Sequence, residues 1–155
     1  MGKQSAGILL YRRSSDGVQV LLGHMGGPLW NGREKGAWSV PKGEYGDDED
    51  AEHAARREFE EELGVPVPTA DLIDLGTVRQ SGGKVVTVWA MEGEIDLSAV
   101  VYGTFTMEWP RGSGRFRDFP ELDAVAWLDL STARDRIIVA QQAFLDRLAD
   151  HLATG

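Results

Sequence analysis

Residues 43–65 read GEYGDDEDAEHAARREFEEELGV, and this acidic stretch is the most informative part of the chain. The acidic run at residues 47–50 is typical of a helix N-terminus, where carboxylates cap free amides and suit the helix dipole. We therefore predict a helix over residues 50–63, with Gly64 as its C-terminal stop. Phe59 and Leu63 form an apolar edge that predicts packing of this helix against a sheet.

One face of the predicted helix breaks the usual rules of charge placement. At 100° per residue, Glu58, Glu61 and Glu62 fall within about 100° of each other. They repel one another, and they lie in the last turns, where the helix dipole favours cations. Each violation costs about a few tenths of a kcal/mol to 1 kcal/mol, so several together indicate a compensating ligand such as a divalent cation. A solvated acidic face is the alternative that the glutamates alone leave open.

The segments on either side of the helix predict a mixed α/β (α+β) domain. Apolar alternation and turn signals predict strands at residues 7–12, 18–24, 73–80, 84–92, 104–109 and 125–128. Residues 25–36 and the Gly- and Arg-rich stretch that runs to Arg117 are predicted loops. Residues 37–40 form a short apolar stretch, and a second helix is predicted over residues 136–152. We expect residues 1–155 to form a single domain.

Composition narrows the possible functions. The chain of 155 residues has no cysteine, which excludes disulfides, thiolate metal ligands and a cysteine nucleophile. Its net charge of −9 argues against non-specific nucleic-acid binding. No apolar run is long enough to span a bilayer, and the N-terminus has no signal-peptide pattern. We therefore expect a cytoplasmic protein with a small-molecule partner, no membrane and no nucleic acid.

The stretch quoted above resembles the signature of the Nudix hydrolases. That signature is a glycine, a glutamate after five residues, and after seven more the pattern Arg-Glu-apolar-any-Glu-Glu-any-Gly-apolar. Nine positions match with fixed spacing, which makes the signal strong: Gly43, Glu49, Arg57, Glu58, Phe59, Glu61, Glu62, Gly64 and Val65. The resemblance implies an α/β/α sandwich with a mixed sheet. It also implies hydrolysis of a phosphoanhydride bond in a nucleoside diphosphate linked to a moiety X.

The same resemblance implies roles for individual residues. Glu58, Glu61 and Glu62 are the expected ligands of Mg²⁺ or Mn²⁺, together with the backbone carbonyl of Lys42. Arg57 is expected to orient the catalytic glutamate, and Glu49 is its structural counterpart at the helix start.

The metal would lower the pKa of a bound water, and a glutamate would accept the proton. That glutamate is either Glu58 or one from another loop. Glu121 is the first loop candidate, because it lies six residues before Trp127, and Glu108 is the second.

Further residues bear on the substrate. Residues 38–43, WSVPKG, resemble weakly the branch that cleaves dinucleoside polyphosphates and diphosphoinositol polyphosphates, although Asp48 departs from the glycine common there. Lys42 would contact a phosphate as a point charge. The cluster of Arg111, Arg115 and Arg117 is either a polyphosphate clamp or a mobile loop paired with the acidic surface.

Aromatic and histidine side chains complete the candidates. Trp30, Phe116 and Phe119 are candidates to stack on a base, whereas core packing is favoured for Trp38. Structural or surface roles are favoured for the three histidines, His24, His53 and His151.

Other functions remain in competition with hydrolysis. A catalytically silent nucleotide sensor would use the same fold, but intact Glu58, Glu61 and Glu62 argue against it. A prenyl diphosphate isomerase is disfavoured because the chain has no cysteine, and an RNA-decapping role is disfavoured by the net charge. The sequence is compatible with a monomer or a homodimer.

Overall fold

The computed structural model describes residues 3–154, which form nine strands and three α-helices within that range. The strands are β1 (Gln4–Ser14), β2 (Gly17–Met25), β3 (Trp38–Ser39), β4 (Lys42–Glu44), β5 (Leu72–Arg79), β6 (Val85–Glu92), β7 (Thr104–Glu108), β8 (Phe116–Pro120) and β9 (Leu122–Asp129). The helices are α1 (Ala51–Leu63), α2 (Leu130–Arg136) and α3 (Gln142–Thr154).

A seven-stranded mixed sheet forms the centre of the structure. Strand β1 pairs parallel with β6 and antiparallel with β2 and β4. Strand β2 also pairs with β3 and β9, and β6 pairs with β5, all antiparallel. Strands β7 and β8 form a separate two-stranded hairpin. The sheet confirms the predicted fold class, a mixed sheet combined with helices.

Two apolar layers cover the two faces of the sheet, because side chains alternate along β1. Ile8 and Leu10 belong to the cluster with α1, which contributes Phe59 and Leu63. Leu9 and Tyr11 belong to the opposite cluster, to which α3 contributes Phe144, Leu145 and Leu148. Phe59 and Leu63 are fully buried, as the apolar edge of the helix predicts.

Both ends of α1 follow from local chemistry. The Asp50 side chain accepts a hydrogen bond from the His53 amide, which caps the first turn. Gly64 ends the helix with φ 66°, a left-handed conformation that favours glycine, and its amide donates to the Glu60 carbonyl. The predicted span of 50–63 is therefore confirmed, with residue 50 serving as the cap.

Two predicted elements are wrong in part. The loop predicted to run to Arg117 already forms strand β8 from Phe116, which pairs with β7. The helix predicted over residues 136–152 is interrupted at its start: α2 ends at Arg136, and α3 begins only at Gln142. Between them, Ile137 is fully buried and the Ile138 amide donates to the Trp38 carbonyl. The chain leaves the helix there because this contact with β3 replaces a helical hydrogen bond.

No helix among residues 3–154 is long and apolar enough to cross a bilayer.

Candidate active site

A cavity of about 440 Å³ lies where β4, the C-terminal half of α1 and the start of β9 meet. This volume is in the range of small-molecule sites. Five of the residues predicted to bind metal or phosphate or to act in catalysis line it: Lys42, Glu58, Glu61, Glu62 and Glu121. The fold therefore brings together residues that are up to 79 positions apart in the chain (121 minus 42).

Gly43 explains how a carboxylate of α1 reaches this cavity. Strand β4 pairs with β1 so that Gly43 lies opposite Ala6, in direct contact with α1. A Cβ at position 43 would lie only 1.9 Å from Glu58 Oε2, a distance that real atoms do not share. The Glu58 carboxylate thus occupies the space that a side chain at position 43 would fill.

The carboxylates differ in burial, and burial changes their protonation. Glu58 and Glu62 are 8% and 6% exposed, whereas Glu61 is exposed. Burial raises the pKa of Glu58, against the opposing effect of Arg57. Burial, together with the neighbouring negative charge of Glu121, raises the pKa of Glu62 to about 9. The buried carboxyl groups of Glu58 and Glu62 lie close to that of Glu121, and a bound cation would stabilise their ionised forms.

Arg57 connects the start of α1 with its acidic end. Its Nε and Nη2 donate to the two carboxylate oxygens of Glu49, each at 2.8 Å. Its Nη1 donates to Glu58 at 2.8 Å and to Glu61 at 3.1 Å. The hydrogen bonds from Arg57 lower the pKa of Glu49 to about 2. The contact between Arg57 and Glu58 has the geometry that the orienting role requires, and that role stays a prediction.

The donor set suits a hard divalent cation. Every candidate ligand is an oxygen atom, and Mg²⁺ prefers oxygen ligands. Within residues 3–154, however, no three acidic or histidine side chains already converge as a ready-made metal site. One nitrogen of Arg57, Nη1, donates to both Glu58 and Glu61, so a cation would compete with Arg57 for these carboxylates.

The sequence reasoning did not single out Lys84 or Ser5, two polar residues of the cavity lining. Lys84 lines the cavity and forms an ion pair with Glu44 at 3.6 Å. Burial and the nearby charge of Lys84 lower the pKa of Lys42. Ser5 also lines the cavity, and its hydroxyl is the one buried side-chain polar atom without a hydrogen-bond partner in the described part of the chain. No sequence spacing signals either residue, because Ser5 meets β4 through the antiparallel pairing of β1 with β4 and Lys84 is brought there by the parallel pairing of β1 with β6.

The two candidate bases occupy different environments. Glu121 lines the cavity, at the corner between β8 and β9. Its amide donates to the Gly103 carbonyl at 2.8 Å, and its carbonyl accepts from the Gly26 amide at 3.0 Å. The carboxylate of Glu108 instead accepts from the amides of Gly112 and Gly114, which closes the turn of the β7–β8 hairpin. This geometry favours Glu121 over Glu108.

The arginine cluster lies on the β7–β8 hairpin, outside the cavity lining. Arg111, Arg115 and Arg117 are exposed, and the guanidinium of Arg117 lies 5.6 Å from the centre of the Phe119 ring. Phe105 on β7 does line the cavity and contacts Phe119 with ring centres 6.0 Å apart. The hairpin that carries the arginines is thus attached to the rim of the cavity.

The aromatic candidates lie in three different environments: the cavity wall, the core and the exposed hairpin. Trp30 lines the cavity, whereas Trp38 is 6% exposed and belongs to the core, as predicted. Phe116 is 69% exposed on the hairpin.

The mixed sheet and the carboxylate cavity define a class of hydrolase, and comparison with known proteins identifies the same class. A NUDIX domain model matches residues 1–148, so the chain belongs to the Nudix family. Within that family it is a pyrophosphohydrolase, as its intact glutamate signature indicates.

Solved structures confirm the fold at low sequence identity. The chain is similar to a Caenorhabditis elegans Ap4A hydrolase in a binary complex, with 20% identity, a TM-score of 0.69 and 99% of each chain covered. It is also similar to the NUDIX domain of Shewanella oneidensis NrtR in complex with ADP ribose, with 16% identity, a TM-score of 0.66, and 98% of this chain and 89% of that one covered. A third structure, the Nudix hydrolase RenU of M. smegmatis, has 20% identity, a TM-score of 0.61, and 97% and 86% coverage. None of the curated proteins matches the chain in sequence.

Proposed function

We propose that this protein hydrolyses a phosphoanhydride bond in a nucleoside diphosphate linked to a moiety X, with Mg²⁺ or Mn²⁺ as cofactor. We further propose that X extends the phosphate chain, as it does in a dinucleoside polyphosphate. One observation carries the proposal: a single cavity combines Glu58, Glu61, Glu62 and Glu121 with Lys42 and Lys84. Carboxylates suit the cation, and ammonium groups suit the phosphates that lie beyond it.

The similar structures support this substrate class. One is an Ap4A hydrolase, and another holds ADP ribose. Both compounds contain a phosphoanhydride bond attached to a nucleoside, which is the bond the proposal addresses.

Glu58, Glu61, Glu62 and the carbonyl of Lys42 would hold the cation. A bound divalent cation supplies a Lewis acid that neutralises phosphoryl oxygens and acidifies water. Arg57 keeps the Glu58 carboxylate in place through the 2.8 Å hydrogen bond, and Glu49 fixes Arg57 in turn. Glu61 is exposed, unlike the buried Glu58 and Glu62, so it is the proposed ligand with the most room to move. Its carboxylate accepts a hydrogen bond from Arg57 at 3.1 Å.

The chain's own residues would carry the reaction in one displacement. The water oxygen forms a bond to phosphorus while the bond from phosphorus to the bridging oxygen breaks, and that oxygen leaves with the electron pair as part of a phosphate or nucleotide. The Glu121 carboxylate accepts the proton of the water. A positioned general base of this kind contributes about 10²- to 10⁴-fold in rate. Lys42 stabilises the negative charge of the departing phosphate, and Lys84 contacts the phosphates that extend beyond it.

The β7–β8 hairpin is proposed as a second contact for a long phosphate chain. Phe105 joins the hairpin to the cavity rim, and Arg111, Arg115 and Arg117 are exposed on the same hairpin. A polyphosphate that leaves the cavity on this side would meet three guanidinium groups, which bind phosphate oxygens in pairs.

A substrate panel tests the proposed reaction. The purified protein is incubated with Mg²⁺ or Mn²⁺ and dinucleoside polyphosphates, nucleoside triphosphates, nucleotide sugars or inositol pyrophosphates, and the products are separated by chromatography. We expect metal-dependent cleavage that is lost in Glu61→Gln and kept in Glu52→Gln, a matched change on the exposed part of the same helix. Binding without cleavage of any compound would favour the sensor over the hydrolase.

A Lys84→Gln variant tests the proposal that X extends the phosphate chain. In Lys84→Gln we expect the KM for a dinucleoside polyphosphate to rise about 10-fold, because one phosphate contact is lost, while a nucleotide sugar is affected less. Lys35→Gln is the control, since Lys35 is exposed and pairs with Asp135 away from the cavity. Equal effects on both substrates would contradict the assignment of Lys84 to the extended phosphate chain.

A further inference from the structure

His24 at the end of β2 is buried, with 6% exposure, and both its ring nitrogens are bound. Its Nδ1 lies 2.7 Å from Asp123 Oδ1 on β9. Its Nε2 lies 2.5 Å from the carbonyl oxygen of Arg33, in the loop after β2. The ring also contacts Trp38 edge-on, with centres 5.3 Å apart. One side chain therefore joins β2, the loop and β9.

The residue that His24 binds on β9 is the extra residue of a β-bulge. His24 pairs with Ala124, but the next residue, Met25, pairs with Leu122. One step along β2 thus corresponds to two steps along β9, and Asp123 is the residue left over. A shift of one residue reverses the face to which the side chains before the bulge point. The direction of Glu121 and Leu122 therefore depends on this bulge.

Backbone contacts extend the same assembly to Glu121. The Gly26 amide donates to the Glu121 carbonyl, and Gly26 packs so closely that a Cβ there would lie 2.1 Å from the Pro120 carbonyl oxygen. On the loop side, Trp30 lines the cavity only three residues before Arg33. The His24 ring is thus fixed between the two segments that carry Glu121 and Trp30 into the cavity wall.

We infer that His24 is a positioning residue: by binding Asp123 and the Arg33 carbonyl it holds the bulge at Asp123 and aims the Glu121 carboxylate into the cavity. Each ring nitrogen faces one oxygen, Nδ1 the Asp123 carboxylate and Nε2 the Arg33 carbonyl, so the ring bridges the two segments. A glutamine or asparagine at position 24 cannot span both acceptors with the imidazole geometry. The catalytic consequence rests on the proposed function of Glu121, whereas the structural one does not.

Amide hydrogen exchange tests the structural part in the full-length, metal-free protein. In His24→Gln we expect the amides of Gly26 and Glu121 to exchange at least about 10-fold faster, because the bulge opens locally more often. His151→Gln, the same change on the exposed face of α3, should leave both rates unchanged. Asp123→Asn keeps the shape of an exposed side chain and should act in the same direction as His24→Gln. Unchanged exchange of both amides in both variants overturns the inference.

A double-mutant cycle tests the catalytic part, with diadenosine tetraphosphate and Mg²⁺ as the probe. We expect His24→Gln to lower kcat about 10-fold with little change in KM, and to have almost no further effect in a Glu121→Gln background. A residue that only stabilised the fold would lower activity equally in both backgrounds, and that result overturns the positioning role. Full activity of Glu121→Gln would contradict the proposed function of Glu121, and the catalytic role of His24 with it. The exchange rates would still decide whether His24 holds the bulge.

Discussion

Glu62 shows how the environment of one residue couples stability to function. Burial and the charge of Glu121 raise its pKa from 4.5 to about 9, so the folded, metal-free protein keeps this carboxyl protonated at neutral pH. Between these two values the folded state binds a proton that the unfolded state releases. The free energy of unfolding therefore falls as the pH rises from about 4.5 to 9.

We predict that Glu62→Gln stabilises the metal-free protein at pH 8 by roughly 1–3 kcal/mol, because the neutral amide has no proton that the folded state must keep and the unfolded state would release. Cleavage should decrease in the same variant, since a proposed metal ligand is lost. Urea unfolding in EDTA at pH 6 and pH 8 measures the first effect, and the advantage should be larger at pH 8. Glu52→Gln on the exposed part of α1 serves as control. A Glu62→Gln protein less stable than the wild type at pH 8 would refute this account.

The Glu49–Arg57 pair predicts the opposite pH dependence. The two hydrogen bonds from Arg57 lower the pKa of Glu49 from 4.5 to about 2. The stabilisation from the pair is therefore fully present above about 4.5 and is lost as the pH falls toward 2. We expect the wild type to be more stable than Glu49→Gln at pH 6, with the difference closing between pH 4.5 and pH 2. Unfolding midpoints across this range measure it, and a difference that grows toward low pH would be inconsistent with the pair.

Among the elements, the contact between β4 and α1 shapes the cavity most directly. The signature glycine at position 43 leaves the space that Glu58 fills, and Gly64 ends the helix two residues after Glu62. A loop–helix–loop therefore places the carboxylates against a strand rather than in open solvent. This arrangement is what turns an acidic helix face into a cavity wall.

We predict that Gly43→Ala lowers kcat/KM at least about 10-fold with a smaller effect on stability. The new methyl group would lie 1.9 Å from Glu58 Oε2, and the end of the glutamate side chain must move to relieve the overlap. Steady-state kinetics and thermal unfolding separate the two effects. Gly46→Ala is a suitable control, because its nearest contact is the exposed Asp48 carboxylate at 2.9 Å. Unchanged kinetics in Gly43→Ala would show that Glu58 need not occupy this position.

At the scale of the whole molecule, the net charge of −9 contrasts with the basic hairpin. An acidic protein repels a polyphosphate at long range, and the exposed Arg111, Arg115 and Arg117 locally reverse that field. The hairpin is a two-stranded unit outside the main sheet, so its charges can be changed with little effect on the core.

We predict that replacing the three hairpin arginines by glutamine raises the KM for a dinucleoside polyphosphate about 10-fold and leaves kcat and the Tm nearly unchanged. The effect should weaken as salt is added, because exposed charges are screened. Arg56→Gln/Arg134→Gln/Arg136→Gln changes the net charge equally at positions outside the cavity lining and should leave KM unchanged. Equal changes in KM for the two triple variants would favour a general field effect over a clamp.

Local signals in the sequence account for the elements that were predicted well. The span of α1 follows from the cap at Asp50 and the stop at Gly64, which act within one turn of the chain. Strand β5 differs from its predicted span by one residue at each end and β6 by one residue at its start, because alternation and the Ser-Gly-Gly turn are also local. The break before α3 escaped prediction, because Ile137 and Ile138 leave the helix for a contact with Trp38, about 100 residues earlier.

The acidic helix, its ends, the mixed α/β class and the carboxylates of the signature can all be predicted from residue order, since each rests on spacing within a single segment. Which distant residues join these carboxylates depends instead on how the strands pair. Lys84 reaches the cavity through the parallel pairing of β1 with β6, and Ser5 through the antiparallel pairing of β1 with β4. Asp123 meets His24 only through a bulge. The preference for Glu121 over Glu108 was already a sequence prediction, and the structure adds that Glu121 lines the cavity whereas Glu108 closes the hairpin turn. Strand register and bulges depend on pairing across the whole sheet, which no local pattern specifies.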